Sequence, residues 1–111
     1  MISFFKKQKT NYPDFWVHYA EQFQKGLPSE LNEVRFVVLD TETTGFDYDN
    51  DRILSIGALS LQNGTIEVKQ SFEVFLYQHF YHAKNVEIHG ILKDERQERI
   101  TELEALMLFL E

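Results

Sequence analysis

The chain has 111 residues, a formal net charge of −7, and 43% hydrophobic residues, which suits one folded domain and excludes a disordered tail. Cysteine is absent, which excludes disulfides and cysteine-held zinc, and we expect a cytoplasmic protein. No apolar run approaches the roughly 20 residues that a transmembrane helix requires, so no membrane association is predicted. The first residues also lack the charge order and length of a signal peptide.

A helix with an aromatic face is predicted near the N terminus. Asp14 is a candidate N-cap, and Gly26 with Pro28 should end the element. We expect the face to pack on the main body of the protein rather than to bind a cofactor; its residues recur at helical spacing and are Trp16, Tyr19, Ala20 and Phe23.

Three strands are predicted after a linker at residues 29–33. Residues 34–39 are apolar without alternation, which is typical of a strand buried on both faces. Residues 53–61 and 65–76 should form the second and third strands. Asn63-Gly64 between them is a strong signal for a tight hairpin, so these two strands should pair in antiparallel fashion.

A second helix is predicted at the C terminus. Thr101 and Glu104 have the spacing of a capping box, in which each residue's side chain bonds the other's backbone N–H group. Leucine and methionine recur on one face of this helix. Residues 77–85 should form a connector, and residues 86–91 a short helical turn.

Two acidic residues follow the first strand directly. If the strand continues through residue 42, Asp40 and Glu42 project from the same face. Carboxylates held together repel each other, and a bound divalent cation commonly resolves this; Asp and Glu oxygens suit Mg²⁺ or Mn²⁺. Two such ions, about 3.5–4 Å apart, can promote hydrolysis of a phosphodiester. The alternative is a strand that ends in two solvated acids.

The residues after these acids favour a ligand site. Thr43, Thr44 and Gly45 offer hydroxyl and backbone N–H groups at the carboxyl end of a strand, where ligands bind in open α/β sheets. The aspartates at alternate positions 47, 49 and 51 are similar to the start of a calcium loop. However, Arg52 and Ala58 stand where that loop requires Gly and Glu, so we predict an ordinary polar loop.

Two ordered stretches resemble the DEDD family of 3′–5′ exonucleases, which includes the proofreading epsilon subunit of bacterial DNA polymerase III. Residues 38–45 with residues 52–59 are similar to the first exonuclease motif, and residues 86–91 are similar to the family's Ile-His-Gly-Ile segment. The resemblance covers residues 34–111 and implies an α/β ribonuclease-H-like fold. We therefore assign residues 1–33 to an N-terminal helix and linker, and residues 34–111 to the N-terminal part of an exonuclease domain.

The resemblance also implies roles for individual residues. Asp40 and Glu42 match the first two metal-holding acids of a site that uses two Mg²⁺ or Mn²⁺ ions. Thr43 matches a residue that contacts the terminal nucleotide, Thr44 assists it, and His89 lines the nucleotide pocket. The implied substrate is the 3′ end of single-stranded DNA or RNA, released as nucleoside monophosphates, and a DNA polymerase is a candidate partner. The remaining histidines match no catalytic position.

The sequence departs from the family pattern in two ways. Ser55 stands where the family often carries an acid. More seriously, the 111 residues contain no match to the third acid, the general-base histidine or the fourth acid. We therefore expect a fold truncated after the first three strands and the first main helix, and a chain that is inactive alone. The missing neighbouring strand would leave the edge of residues 34–39 open, which suggests a homodimer.

Two further functions stay open from the sequence. One is a non-catalytic regulatory module that retains a nucleotide or metal site. The other is an RNA exonuclease of the oligoribonuclease type. The net charge of −7 argues against nucleic-acid binding by bulk electrostatics, but this objection is weaker where carboxylates hold cations that meet the phosphate.

Overall fold

The computed structural model describes residues 11–79 and 98–111. In chain order the elements are α1 (Asp14–Glu21), a 3₁₀ turn (Leu31–Glu33), β1 (Arg35–Thr43), β2 (Ile53–Gln62), β3 (Thr65–Leu76), β4 (Arg99–Ile100) and α2 (Glu102–Leu110). The strands form one sheet in the order β1-β2-β3-β4. Its first three strands are antiparallel and β4 runs parallel to β3, so the predicted α/β class is confirmed.

The β2-β3 hairpin forms where the sequence predicts it. Asn63 and Gly64 both adopt positive φ angles, 49° and 71°, as a two-residue turn of this hand requires. The turn sets the register, which begins with Gln62 opposite Thr65. A bulge between Ala58 and Ser60 interrupts this ladder.

The first strand is more exposed than its sequence predicts. Phe36, Val38 and Leu39 are 43%, 59% and 52% exposed, so burial on both faces is wrong for the described part of the chain. The physical reason is the position of the strand, since β1 has β2 as its one neighbour among the described strands. The described helices pack elsewhere: α2 lies against β3, and α1 lies against α2.

The core lies between one face of the sheet and α2. Ile56, Leu76 and Ala105 are buried at its centre, with Phe72 and Phe109 packed against them. The two phenylalanine rings lie 5.7 Å apart in a tilted arrangement. β4 was not predicted, because two residues are too few to show a strand pattern; it pairs with the end of β3 and leads the chain directly into α2.

The predicted caps of the two helices have different outcomes. The Thr101–Glu104 capping box at α2 is present in full and is confirmed. At α1 the N-cap is Pro13 rather than Asp14, because the Pro13 carbonyl already accepts the first helical N–H groups, and Asp14 becomes the first helical residue. The predicted helix end at Gly26 is wrong for α1, which ends at Glu21 with Gln22 as its C-cap. Turns continue the chain to Gly26, which has a φ of 73°.

The aromatic face of α1 is not packed into the core. Tyr12, Trp16, Tyr19 and Phe23 contact one another in sequence, with ring centroids 6.4, 5.7 and 5.0 Å apart. No residue of α1 is buried, and the expectation that this face packs on the main body is wrong for most of its length. Neither α1 nor α2 is long and apolar enough to cross a membrane, nor is any other helix within residues 11–79 and 98–111.

Candidate functional site

Asp40 and Glu42 lie near the end of β1, on one face of the sheet. The strand continues through Thr43, so the condition for a shared face is met. Asp40 is exposed and Glu42 is half-buried. The structure therefore places the two predicted ligands side by side at the carboxyl end of a strand.

The neighbouring strand leaves room beside both carboxylates. Asp40 is paired with Gly57, and Glu42 is paired with Ser55. Because directly paired residues share a face of the sheet, Gly57 leaves the space beside Asp40 free of a side chain. Ser55 likewise places a short hydroxyl beside Glu42, where an acid would have added a third carboxylate. The departure from the family pattern at Ser55 therefore leaves two carboxylates rather than three at this place in the sheet.

A divalent ion fits these two carboxylates as part of its ligand set. Mg²⁺ commonly takes one or two carboxylates and fills its other positions with water and substrate phosphate. Within residues 11–79 and 98–111, no three histidine, aspartate or glutamate side chains group closely enough to hold an ion. Glu73 pairs with Gly57 and so shares a row with Asp40. It lies two strands away, a backbone separation of about 10 Å.

The chain leaving β1 is fixed by hydrogen bonds to the start of β2. The Thr44 N–H group donates to the Arg52 carbonyl at 2.9 Å, and the Arg52 N–H group donates to Thr44 Oγ1 at 2.9 Å. Thr44 Oγ1 donates to Asp51 Oδ1 at 2.8 Å. Thr44 is 1% exposed, so its hydroxyl holds the loop together, and its predicted role in substrate binding stays a prediction.

Sequence reasoning missed Asp51. Its second carboxylate oxygen accepts the Asp47 N–H group at 2.8 Å, so Asp51 joins both sides of the loop. Gly45 lies against the same carboxylate: a Cβ atom at residue 45 would come within 2.7 Å of Asp51 Cγ. Gly45 was the signal in the sequence that could have revealed this contact. A residue that lies directly against a neighbouring side chain must be glycine, because there is no space for a Cβ atom.

The acidic loop binds its own backbone. Asp47 Oδ1 accepts N–H groups from Asp49 and Asn50, and Asp47 Oδ2 accepts the Asn50 side-chain amide at 2.8 Å. The Asn50 amide and the Asp49 N–H group lower the pKa of Asp47 below its usual value, since both stabilise the charged form. These hydrogen bonds close the loop on itself, and the expectation that it holds no calcium stays a prediction.

A shallow depression of about 440 Å³ lies at the same end of β1. Its lining includes Thr43, whose hydroxyl donates to the Gly45 carbonyl at 2.8 Å, and the side chains of Phe46 and Tyr48. Both aromatic residues are fully exposed. Asp40 and Glu42 are not part of this lining, whereas Thr41 is, and Thr41 projects from the opposite face of β1. The depression is therefore distinct from the face that carries the two carboxylates.

The predicted site residue His89 lies outside the described residues, as does the whole of residues 86–91. Its place in the nucleotide pocket stays a prediction. Two other histidines are described, and both are exposed. His18 lies on α1, and His79 contacts the Tyr77 ring edge-on with the ring centroids 4.8 Å apart. Neither lies on the strand that carries Asp40 and Glu42.

Comparison with protein families shows which family the chain belongs to. The model of the exonuclease family that includes RNase T matches residues 37–111, which is more than half of the chain and contains both acids. The chain belongs to this exonuclease family. The resemblance drawn from the motifs is confirmed, and α1 lies outside the match.

Curated relatives of this exonuclease-family chain are DNA polymerases. It is 35% identical over 82 residues to the PolC-type DNA polymerase III of Thermotoga maritima, covering 74% of this chain. It is 49% identical over 41 residues to the PolC-type DNA polymerase III of Clostridium perfringens, covering 37% of this chain. The matched segments span 6% and 3% of those relatives.

Membership of the exonuclease family carries consequences at that level. The family acts on nucleic acid as a nuclease and generally uses divalent metal ions. The matched segment includes the strand that bears Asp40 and Glu42 and the loop that Thr44 and Asp51 hold. The two carboxylates thus lie within the segment that matches the exonuclease family.

Proposed function

We propose that this chain carries the first part of a metal-dependent 3′–5′ exonuclease site that releases nucleoside monophosphates from nucleic-acid ends. The observation that carries the proposal is the placement of Asp40 and Glu42 on one face of β1, inside the segment that matches the exonuclease family. The similarity to PolC-type DNA polymerase III favours DNA proofreading or repair beside a polymerase.

Different residues of the chain would bind the metal and the substrate. Asp40 and Glu42 would hold Mg²⁺ or Mn²⁺, since strand alternation places both side chains on one face of β1. When bound, such ions neutralise phosphate charge and activate water for hydrolysis. Thr43 and His89 would hold the terminal nucleotide, and Thr44 would assist Thr43. Contacts of this kind read sugar and phosphate rather than base sequence.

We infer that the 111-residue chain binds an ion and a nucleotide but cleaves little. Within residues 11–79 and 98–111 no third acidic or histidine side chain groups with these two carboxylates, which supply half of the four-acid site that the family resemblance implies. This observation also favours the second candidate, a non-catalytic module that binds a nucleotide or metal. An RNA exonuclease of the oligoribonuclease type is the alternative within the enzyme class.

A nuclease assay tests the proposal. Single-stranded DNA and RNA with labelled 3′ ends would be incubated with Mg²⁺ or Mn²⁺, the 111-residue chain, and a longer protein that continues into the expected later motifs. We expect cleavage from the 3′ end by the longer protein, a loss of about a hundredfold or more on Asp40→Asn, and little cleavage by the short chain. The ratio of rates on the two substrates decides between DNA and RNA.

Glu73→Gln is the matched control for that assay. It removes an acid from the same face two strands away and should leave cleavage unchanged. Cleavage that does not depend on Asp40 would contradict the proposed site, and strong cleavage by the short chain would contradict the inferred truncation. Metal-dependent nucleotide binding without cleavage by the longer protein would favour the regulatory module.

Three expectations from the sequence remain proposals. Association with a DNA polymerase rests on the names of the relatives, and the exposed aromatic face of α1 is a candidate contact. A homodimer through the open edge of β1 rests on the exposure of Val38 and Leu39, and light scattering would test it, since a stable monomer would contradict it. The cytoplasmic location stays a prediction.

A further inference from the structure

A hydrogen-bonded pair lies in the loop that follows the two proposed metal ligands along the chain. Thr44, two residues after Glu42, is 1% exposed and donates its hydroxyl to Asp51. Asp51 in turn accepts the Asp47 N–H group with its other oxygen. A carboxylate that joins two parts of one loop restricts both, because each bond fixes one oxygen in place.

These hydrogen bonds restrict the segment that connects the end of β1 to the following loop. The β1-β2 register shifts between Glu42 and Thr43, where the ladder contains a bulge. A bulge leaves the strand end bent and weakly paired, so its direction must be fixed by other contacts. Thr44 supplies them through its N–H group and its hydroxyl, and Gly45 packs on the carboxylate of Asp51.

We propose that Asp51 and Thr44 are positioning residues, whose hydrogen bond fixes the chain after Glu42 so that Thr43 and the two carboxylates meet a terminal nucleotide in one geometry. This inference rests on the proposed function, and it names residues that act through others rather than on the substrate. Preorganised sites lose much of their binding affinity when a supporting contact is removed, since small displacements of the binding side chains weaken their contacts with the substrate.

If Thr44 and Asp51 had only a structural role, their loss would affect stability without a specific effect on ligand binding. Ser60, which lies in the same two strands β1 and β2, provides the comparison. Ser60 is 2% exposed and accepts a hydrogen bond from Arg35 Nε at 2.8 Å, at the opposite end of β1 and β2. Ser60→Ala removes a buried hydroxyl and its hydrogen bond with Arg35, whereas Thr44→Val removes a buried hydroxyl and its hydrogen bonds with Asp51 and the Arg52 N–H group. Both variants should lower stability, so loss of ligand binding in Thr44→Val but not in Ser60→Ala isolates positioning.

The experiment titrates Mn²⁺, and then dTMP in the presence of Mn²⁺, into the 111-residue chain and its variants. Calorimetry gives the affinities, and chemical denaturation gives the stability of each variant. We expect Thr44→Val and Asp51→Ala to weaken dTMP binding by about tenfold or more, whereas Ser60→Ala leaves it unchanged. Thr44→Ser keeps the hydroxyl and should restore binding.

Each other outcome has a defined meaning. Equal dTMP affinity in Thr44→Val, Asp51→Ala and the unmodified chain would overturn the positioning role and leave the proposed function standing. Binding that is absent in the unmodified chain, or unaffected by Asp40→Asn, would overturn the proposed site and the positioning role with it. If Thr44→Val fails to fold, Asp51→Asn decides, because it retains one acceptor oxygen and should show a smaller loss than Asp51→Ala.

Discussion

Gly45 and Asp51 lie in direct contact at the turn that follows the two acids of β1. A Cβ atom added at residue 45 would come within 2.7 Å of Asp51 Cγ, closer than side chains approach in folded proteins. The carboxylate cannot move away easily, since it bonds Thr44 Oγ1 and the Asp47 N–H group. The glycine is therefore required by a neighbour six positions along the chain.

Gly45→Ala should lower the free energy of unfolding by about 1–3 kcal/mol, because the added methyl group forces the loop apart. Chemical denaturation measures this. Gly57→Ala is the control, as nothing lies within 4 Å of a Cβ atom there, and its change should be small. In an Asp51→Ala background the cost of Gly45→Ala should shrink, and a cost that stays the same would contradict the contact.

Gly64→Ala should destabilise the β2-β3 hairpin by about 1 kcal/mol, because residue 64 has a φ of 71°, which alanine adopts with strain. Open space surrounds the position, so backbone strain rather than a clash is the cause. Gly64→Asn is the matched variant, since asparagine tolerates this conformation better. Equal melting behaviour of the alanine variant and the parent chain would refute the turn geometry.

Leu76→Ala should cost about 2–5 kcal/mol of stability, because Leu76 is fully buried where β3 meets α2, and truncation leaves a cavity. Leu59→Ala provides the comparison. Leu59 is 40% exposed, so the same change should cost much less. Similar losses from both variants, measured by urea unfolding, would show that the core does not lie where α2 covers the sheet.

The capping box of α2 predicts a dependence of stability on pH. Hydrogen bonds from the Thr101 hydroxyl and the Thr101 backbone N–H group hold the pKa of Glu104 below its usual 4.5. A lowered pKa means that the charged form is favoured in the folded state. Its stabilisation is therefore present above pH 4.5 and is lost as the pH falls through the folded value. Glu104→Gln should flatten this part of the pH profile of unfolding.

Asn50→Ala should raise the pKa of Asp47 towards its usual 3.8, because the Asn50 side-chain amide is the largest cause of the lowered value. Titration of the Asp47 carboxyl carbon by NMR measures the shift. An unchanged Asp47 titration would mean that the loop is not closed by this bond in solution.

Local features of the fold were predictable because their causes lie within a few residues. Asn63 and Gly64 specify a turn through their tolerance of positive φ angles, and Thr101 with Glu104 satisfies backbone groups of its own helix. The exposure of β1 was not predictable in this way. An apolar run indicates that cover is needed, but it does not say which element supplies it.

The sequence by itself determined the spacing of Asp40 and Glu42 and the family motif that surrounds them, since strand alternation converts that spacing into a shared face. The tertiary structure alone decided what lies around them. It paired Asp40 with Gly57, which leaves open space, and it brought Asp51 to Thr44 across seven positions of the loop. Such contacts depend on register and loop closure, which no local spacing specifies.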